Sequence, residues 1–288
     1  MDRSTKKKAE IERKTSTIQK NYPYLWKLMI SDWSSPQEGD WTWLMYSANY
    51  LFQTAGIRWA IDPIRLRQRL PLAPEVDGSA LAALDYILLT HRHADHLDLE
   101  LLHLLQNDPA IWIVPDYLLD RLCAAGLQHE KIMIPHSMET IRLNGMTIQP
   151  FEGFHWETSI SHKDNHRGVP STGYLIEFNG KRWLFPGDTR TYAPEALTRF
   201  GPVDILFAHL WLGRGCAIQD TSILLEAFCL SCLSSQPRRI IVTHLEEFGR
   251  QPEDFWDGGH YLLVEDWFRD HAPEIQVEAA YMGERCRI

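Results

Sequence analysis

Long apolar runs are missing from this 288-residue chain. No stretch approaches the 18 or so consecutive apolar residues of a membrane-spanning helix, so none is expected. The first twenty residues carry Lys6, Lys7, Lys8, Arg13, Lys14 and Lys20 but no apolar block, so they do not read as a signal peptide. Cysteine is scarce and odd in number, at Cys123, Cys216, Cys229, Cys232 and Cys286, which argues against a disulfide framework. Cys229 and Cys232 form a C-x-x-C pair inside an apolar, helix-like run with no second pair nearby. A redox or zinc role is the alternative there, but small buried hydrophobes explain the pair better. Reduced thiols suit the cytosol. An excess of positive charge is also absent. The formal net charge is -9, which argues against a general nucleic-acid partner. No G-x-S-x-G elbow occurs, so nothing points to a serine hydrolase. Repeats, low-complexity tracts and biased linkers are lacking. One domain over residues 21–288 is therefore expected, behind a polar helix or arm over residues 1–20.

What is present suits a globular enzyme: 44% hydrophobic and 23% charged residues, enough for a sizeable core. The arm reads as a solvated helix, or as a surface that touches another subunit or an anionic partner. Strands are expected over 41–49, 57–61, 86–90, 111–114, 131–134, 140–143, 146–151, 172–178, 182–185, 203–208, 239–243 and 275–280. Helices are expected over 97–105, 116–125, 221–233 and 259–271, the first capped by Asp95 or Asp98. Asn144-Gly145 and Asn179-Gly180 mark hairpin turns. Strands and helices alternate, with hairpins in both halves. That pattern favours two sheets with helices outside them over one parallel sheet.

The densest chemistry lies at His91-Arg92-His93-Ala94-Asp95-His96. This H-x-H-x-D-H run follows an apolar strand. Imidazole and carboxylate are ligands that borderline divalent ions prefer, and the run can hold two of them. A metal also supplies the positive charge that such a cluster lacks. Further potential ligands occupy the same kind of place, just after an expected strand: Asp62, His155, Asp188 and His244. Strand ends gathered at one sheet edge would let them converge.

With these residues in this order, the chain resembles the metallo-β-lactamase superfamily over roughly residues 40 to 250. Ala60-Ile61-Asp62-Pro63, Leu97-Asp98, Gly173-Tyr174-Leu175-Ile176 and Pro186-Gly187-Asp188-Thr189 make it most similar to one branch. That branch contains the ascorbate-6-phosphate lactonases and the phospholipase D that cleaves N-acyl phosphatidylethanolamine. The resemblance implies a four-layer αββα sandwich, here with a helical N-terminal extension, and a dinuclear metal site. It implies that His91, His93 and His155 bind one ion, that Asp95, His96 and His244 bind the other, and that Asp188 bridges them. Asp62 would support the cluster from behind.

Such a site activates water and needs no protein nucleophile. The expected reaction is hydrolysis of a small anionic ester, a phosphodiester or a lactone. A nuclease of the same fold and a non-catalytic metal-binding protein are the alternatives. Zinc is the expected metal, with manganese or iron next. Asp95 is the candidate to orient the attacking water or carry its proton. His209 is a candidate substrate-binding or proton-donating group, or else a core histidine bonded to a carbonyl. Lys163, His166, Arg167, Arg190, Trp211 and Arg214 are candidate substrate contacts, or else ordinary loop and core residues. A homo-oligomer is compatible with the chain, as is a cytoplasmic location.

Overall fold

The computed structural model describes residues 3–156, 168–218 and 223–288. The chain divides into two compact units. The first comprises Met1–Pro135, Glu247–Pro252 and Ala280–Ile288; the second comprises His136–Glu246 and Glu253–Ala279.

In the first unit a long helix, α1 (Arg3–Ser34), precedes β1 (Asp40–Leu44), β2 (Tyr50–Thr54), β3 (Ile57–Ile61) and β4 (Tyr86–Leu88). Helix α2 (Leu99–Leu105), β5 (Ile111–Ile113), α3 (Asp116–Ala124) and β6 (Ile132–Met133) follow, and the unit is completed by the chain's last strand, β14 (Arg285–Arg287). The sheet order is β14-β1-β2-β3-β4-β5-β6. Pairing is antiparallel from β14 to β3 and parallel from β3 to β6. The core is aromatic. Phe52 and Trp59 stack with ring centroids 3.7 Å apart, and Trp33 donates its indole N–H to the Phe52 carbonyl. Burial of Tyr22, Trp26, Met29, Ile30 and Trp33 along one stripe fixes the second half of α1 on this unit.

The second unit contains β7 (Ile141–Leu143), β8 (Met146–Glu152), β9 (Thr172–Phe178), β10 (Lys181–Phe185), α4 (Pro194–Thr198), β11 (Val203–His209), α5 (Leu225–Ser234), β12 (Pro237–Thr243), α6 (Gly258–His271) and β13 (Gln276–Ala279). Its sheet order is β13-β12-β11-β10-β9-β8-β7, antiparallel from β7 to β10 and parallel from β10 to β13. Each sheet therefore switches from antiparallel to parallel pairing at one strand, β3 in the first and β10 in the second.

The expected α/β architecture, two mixed sheets with helices and an N-terminal helix, is present. Several element bounds differ. The run expected as one strand over 41–49 is β1 followed by a run of bends, and β2 begins only at Tyr50. Buried Ser47, Ala48 and Asn49 at this bend hide it from an alternation test. The first helix continues past residue 20 to Ser34, with Pro23 inside it. Helix α5 begins at Leu225, residues 221 and 222 of the expected run lying outside the described ones, and β14 was not anticipated at all. Asp98 is the cap of α2, its carboxylate accepting the Leu101 N–H at 2.9 Å. Among the described residues, no helix is long and apolar enough to cross a membrane.

Candidate metal ligands in each unit

In the first unit, parallel strands β3 and β4 deliver Asp62 and the segment Thr90–His96 from their carboxyl ends. Asp62 takes a left-handed backbone, φ 47°, a conformation that aspartate tolerates better than most residues. Its carboxylate is fully buried. It accepts the Thr90 N–H at 2.7 Å, the Thr90 Oγ1–H, and the His96 Nδ1–H at 2.7 Å. Burial pushes the Asp62 carboxyl above its ordinary range, and the His96 and Thr90 bonds pull against that shift.

These contacts assign protons. The Thr90 hydroxyl hydrogen is committed to Asp62, so Thr90 Oγ1 accepts from His91 Nδ1, 2.9 Å away. His91 and His96 then both carry hydrogen on Nδ1 and both offer the Nε2 lone pair to a metal. His91 Nε2 lies 3.1 Å from His93 Nδ1. Two nitrogens bound to one tetrahedral ion at about 2.0–2.1 Å would be about 3.3 Å apart, so this pair fits a shared ion. Asp62, His91 and His96 also place donor atoms within 4.8 Å of one another. Asp62 nevertheless faces the protonated nitrogen of His96. Asn49 ties the segment down further, its Nδ2 donating to the carbonyls of Asp62 and Asp95 at 2.8 Å each. Asp95 is buried, and its Oδ2 meets Arg69 Nη2 at 2.6 Å and Arg250 Nη2 at 3.3 Å.

In the second unit, β8 runs in the same direction as β10, β11 and β12, and all four bring a candidate to one edge. His155 follows β8; a Cβ on Gly168, φ 134°, would lie 2.2 Å from the His155 carbonyl oxygen, so only glycine fits there. Asp188 follows β10 through Pro186-Gly187, where Gly187 has φ 72°. His209 is the last residue of β11, and His244 follows β12 with φ 65°. Asp188 is the hub. Its Oδ1 is 3.0 Å from His209 Nδ1, while its Oδ2 is 3.6 Å from His155 Nε2 and 3.5 Å from His244 Nε2. These two spacings are long for hydrogen bonds and close to the separation of two ligands on one ion. His244 donates Nδ1–H to the Leu210 carbonyl at 3.0 Å, which leaves its Nε2 as the donor atom. The donor set is imidazole and carboxylate without thiolate, which zinc, manganese and iron all accept.

The remaining expected residues are placed unevenly. Arg190 donates its backbone N–H to Phe154 at 2.8 Å, and its guanidinium lies 5.6 Å from the ring of the buried Trp211. Arg214 is exposed. Lys163, His166 and Arg167 lie outside the described residues. Cys229 and Cys232 are buried and unlinked, as small hydrophobes would be. Sequence reasoning missed Thr90, Asn49, Arg69 and Arg250. Thr90 adjoins the histidine run and was within reach of that reading; the other three carried no local signal.

Residues 58–245 match a family described as the beta-lactamase superfamily domain. A metal-dependent hydrolase of Staphylococcus carnosus is 26% identical over 202 residues, 63% of this chain and 81% of that one. Among solved structures, Igni18, a metallo hydrolase from Ignicoccus hospitalis, superposes with a TM-score of 0.61 at 19% identity, over 86% of this chain and 97% of that chain. CmlA, a diiron β-hydroxylase from Streptomyces venezuelae, gives 0.61 at 18% identity, over 88% of this chain and 55% of that chain.

Proposed function

Because the chain belongs to the metallo-β-lactamase superfamily, we propose that it is a metal-dependent hydrolase with a dinuclear metal centre. His91, His93 and His155 would hold one ion, Asp95, His96 and His244 the other, and Asp188 would bridge them. One observation carries this reading: Asp188 Oδ2 has the Nε2 atoms of His155 and His244 near it at 3.6 and 3.5 Å, the disposition of a carboxylate oxygen shared between two ions. The relative's description as a metal-dependent hydrolase points the same way.

When bound, two such ions acidify a shared water and polarise the group it attacks. The chain's own residues do the rest. Asp62 and Thr90 hold His91 and His96 in the tautomer that presents Nε2. Asp95 orients the attacking water. His209 holds Asp188 through Nδ1, so Nε2 is the atom it can offer to substrate. Its ring also lines a small, largely apolar cavity with Phe154, Leu206 and Phe228, with room for about one water molecule. Arg190, braced on Trp211, is the charged group that favours a small anionic ester, a phosphodiester or a lactone. Zinc is the first candidate, with manganese and iron behind it; the diiron neighbour keeps iron in contention. All five cysteines are free, which suits a cytoplasmic location.

The test is a panel assay on purified protein loaded with zinc, manganese or iron. Bis-p-nitrophenyl phosphate, a set of lactones and RNA are the substrates. Turnover of the phosphodiester or a lactone, with two ions per chain by elemental analysis, is the expected result. Activity on RNA alone would replace this reading with a nuclease. Two bound ions without turnover of any substrate would favour a metal-binding role.

A further inference from the structure

The first unit holds a group of four charges, two buried carboxylates and two partly exposed guanidiniums. Asp95 and Glu247 are each 1% exposed. Arg250 joins them, its Nη2 3.3 Å from Asp95 Oδ2 and its Nε 2.9 Å from Glu247 Oε2. Arg69 closes on the same Asp95 oxygen at 2.6 Å. The arrangement is built into the backbone. Gly249, φ 91°, lies so close to residue 69 that a Cβ there would be 2.4 Å from the Arg69 carbonyl oxygen. Tyr46 pins the same segment by donating its hydroxyl to the Phe248 carbonyl. Two guanidiniums on one carboxylate oxygen are more than charge balance for Asp95 requires, and burying the two carboxylates is unfavourable unless each is well paired.

We infer that Arg69 and Arg250 are positioning residues that clamp Asp95 through Oδ2, so that Asp95 meets its metal ion through one oxygen, Oδ1, in a fixed orientation. The inference rests on the reading of Asp95 as a ligand. A carboxylate ligand loses rotational freedom when its second oxygen is held, and outer partners of this kind commonly contribute ten- to a hundredfold to metal affinity. Here the partners are cations, and both contacts fall on the same oxygen. Glu247 offsets the charge of Arg250 as its ion-pair partner.

Zinc alone is the probe, measured by elemental analysis and by titration of the metal-free full chain. Wild type should hold two ions. Arg69→Met should weaken one of the two sites by about tenfold or more and leave the other unchanged. Arg69→Lys should recover part of that loss. The paired variant Arg250→Met with Glu247→Gln removes both ends of the second ion pair and should weaken the same site without leaving a lone buried charge. It also serves if Arg69→Met does not fold. Wild type with two ions and variants that keep both affinities, whatever happens to Tm, would overturn the clamp and leave the hydrolase reading standing. Tighter binding in Arg69→Met would also overturn it, since the guanidinium would then be a competitor for Asp95. Wild type with no bound zinc would instead sink the reading of Asp95 as a ligand, and the clamp with it.

Discussion

Asp62→Asn isolates the proton logic of the histidine run. The substitution changes shape little, and asparagine tolerates the left-handed backbone found at this position, φ 47°. What changes is hydrogen bonding. Asp62 accepts from the Thr90 N–H, the Thr90 hydroxyl and His96 Nδ1–H. Asparagine keeps one acceptor oxygen and replaces the other with an NH2 donor. With that oxygen on the Thr90 N–H, the new amide faces two groups that were themselves donors. His96 must move its proton to Nε2, the atom that would bind metal, and the Thr90 hydroxyl loses the partner that fixed His91. A weakening of metal affinity by about ten- to a hundredfold follows, or about 1.4–2.7 kcal/mol.

Stability should respond differently. The lost charge-assisted bonds are worth about 1.5–3 kcal/mol each, but the buried carboxylate also carries a desolvation penalty that the neutral amide avoids. The two effects oppose, so the metal-free variant should unfold within about 2 kcal/mol of wild type. Calorimetric titration of the metal-free protein with zinc measures the affinity, and chemical unfolding of the same samples measures stability. Thr90→Val is the partner experiment. It removes the route to His91 but leaves the direct bond to His96, so its loss of affinity should be smaller. Zinc affinity within threefold of wild type in Asp62→Asn would refute the tautomer argument.

Three other outcomes are expected. Asp188→Ala should lose at least one ion per chain by elemental analysis and nearly all hydrolysis, because one oxygen of Asp188 serves both histidine neighbours. His209→Phe removes the bond from Nδ1 to Asp188 Oδ1 and should lower metal affinity by about tenfold, read by the same titration. Burial raises the Cys229 thiol from 9.0 to about 12, so the folded state holds a proton that the unfolded state releases. Its contribution to stability is complete below pH 9 and fades as pH rises towards about 12, by about 4 kcal/mol at most. Alkaline unfolding curves of wild type and Cys229→Ala should therefore converge across that range.

The candidate ligands were legible because their spacing is local or their place is repeated. His91 to His96 sit within one turn, and His155, Asp188 and His244 each follow a strand that alternation or apolarity reveals. The supports were not legible. Arg250 reaches Asp95 across 155 positions of sequence, and nothing at either end announces the pairing. Asn49 looked like the tail of a strand, whereas it is a buried amide bonded to two loop carbonyls. Strand direction was hidden as well. A run such as Ile240–Val242 is apolar whether its neighbours are parallel or antiparallel, so the switch in pairing at β3 and β10 emerges only from the register.

Two of the described strand ends that carry candidate site residues turn through a left-handed backbone. Asp62 follows β3, and His244 follows β12 in the parallel half of the other sheet. Both are non-glycine residues with positive φ, at 47° and 65°. Such a conformation costs on the order of 1–3 kcal/mol in an ordinary residue and somewhat less in aspartate or histidine. A strand continued by one more extended residue would send its side chain to a face of the sheet, among apolar neighbours. Turning the backbone at that residue instead directs Asp62 to Thr90 and His96, and His244 to Asp188 and the Leu210 carbonyl. Glycine would relieve the strain at either position but would remove the carboxylate or imidazole that the turn exists to present. At these two positions the strain therefore persists because a polar side chain must leave the end of a buried strand.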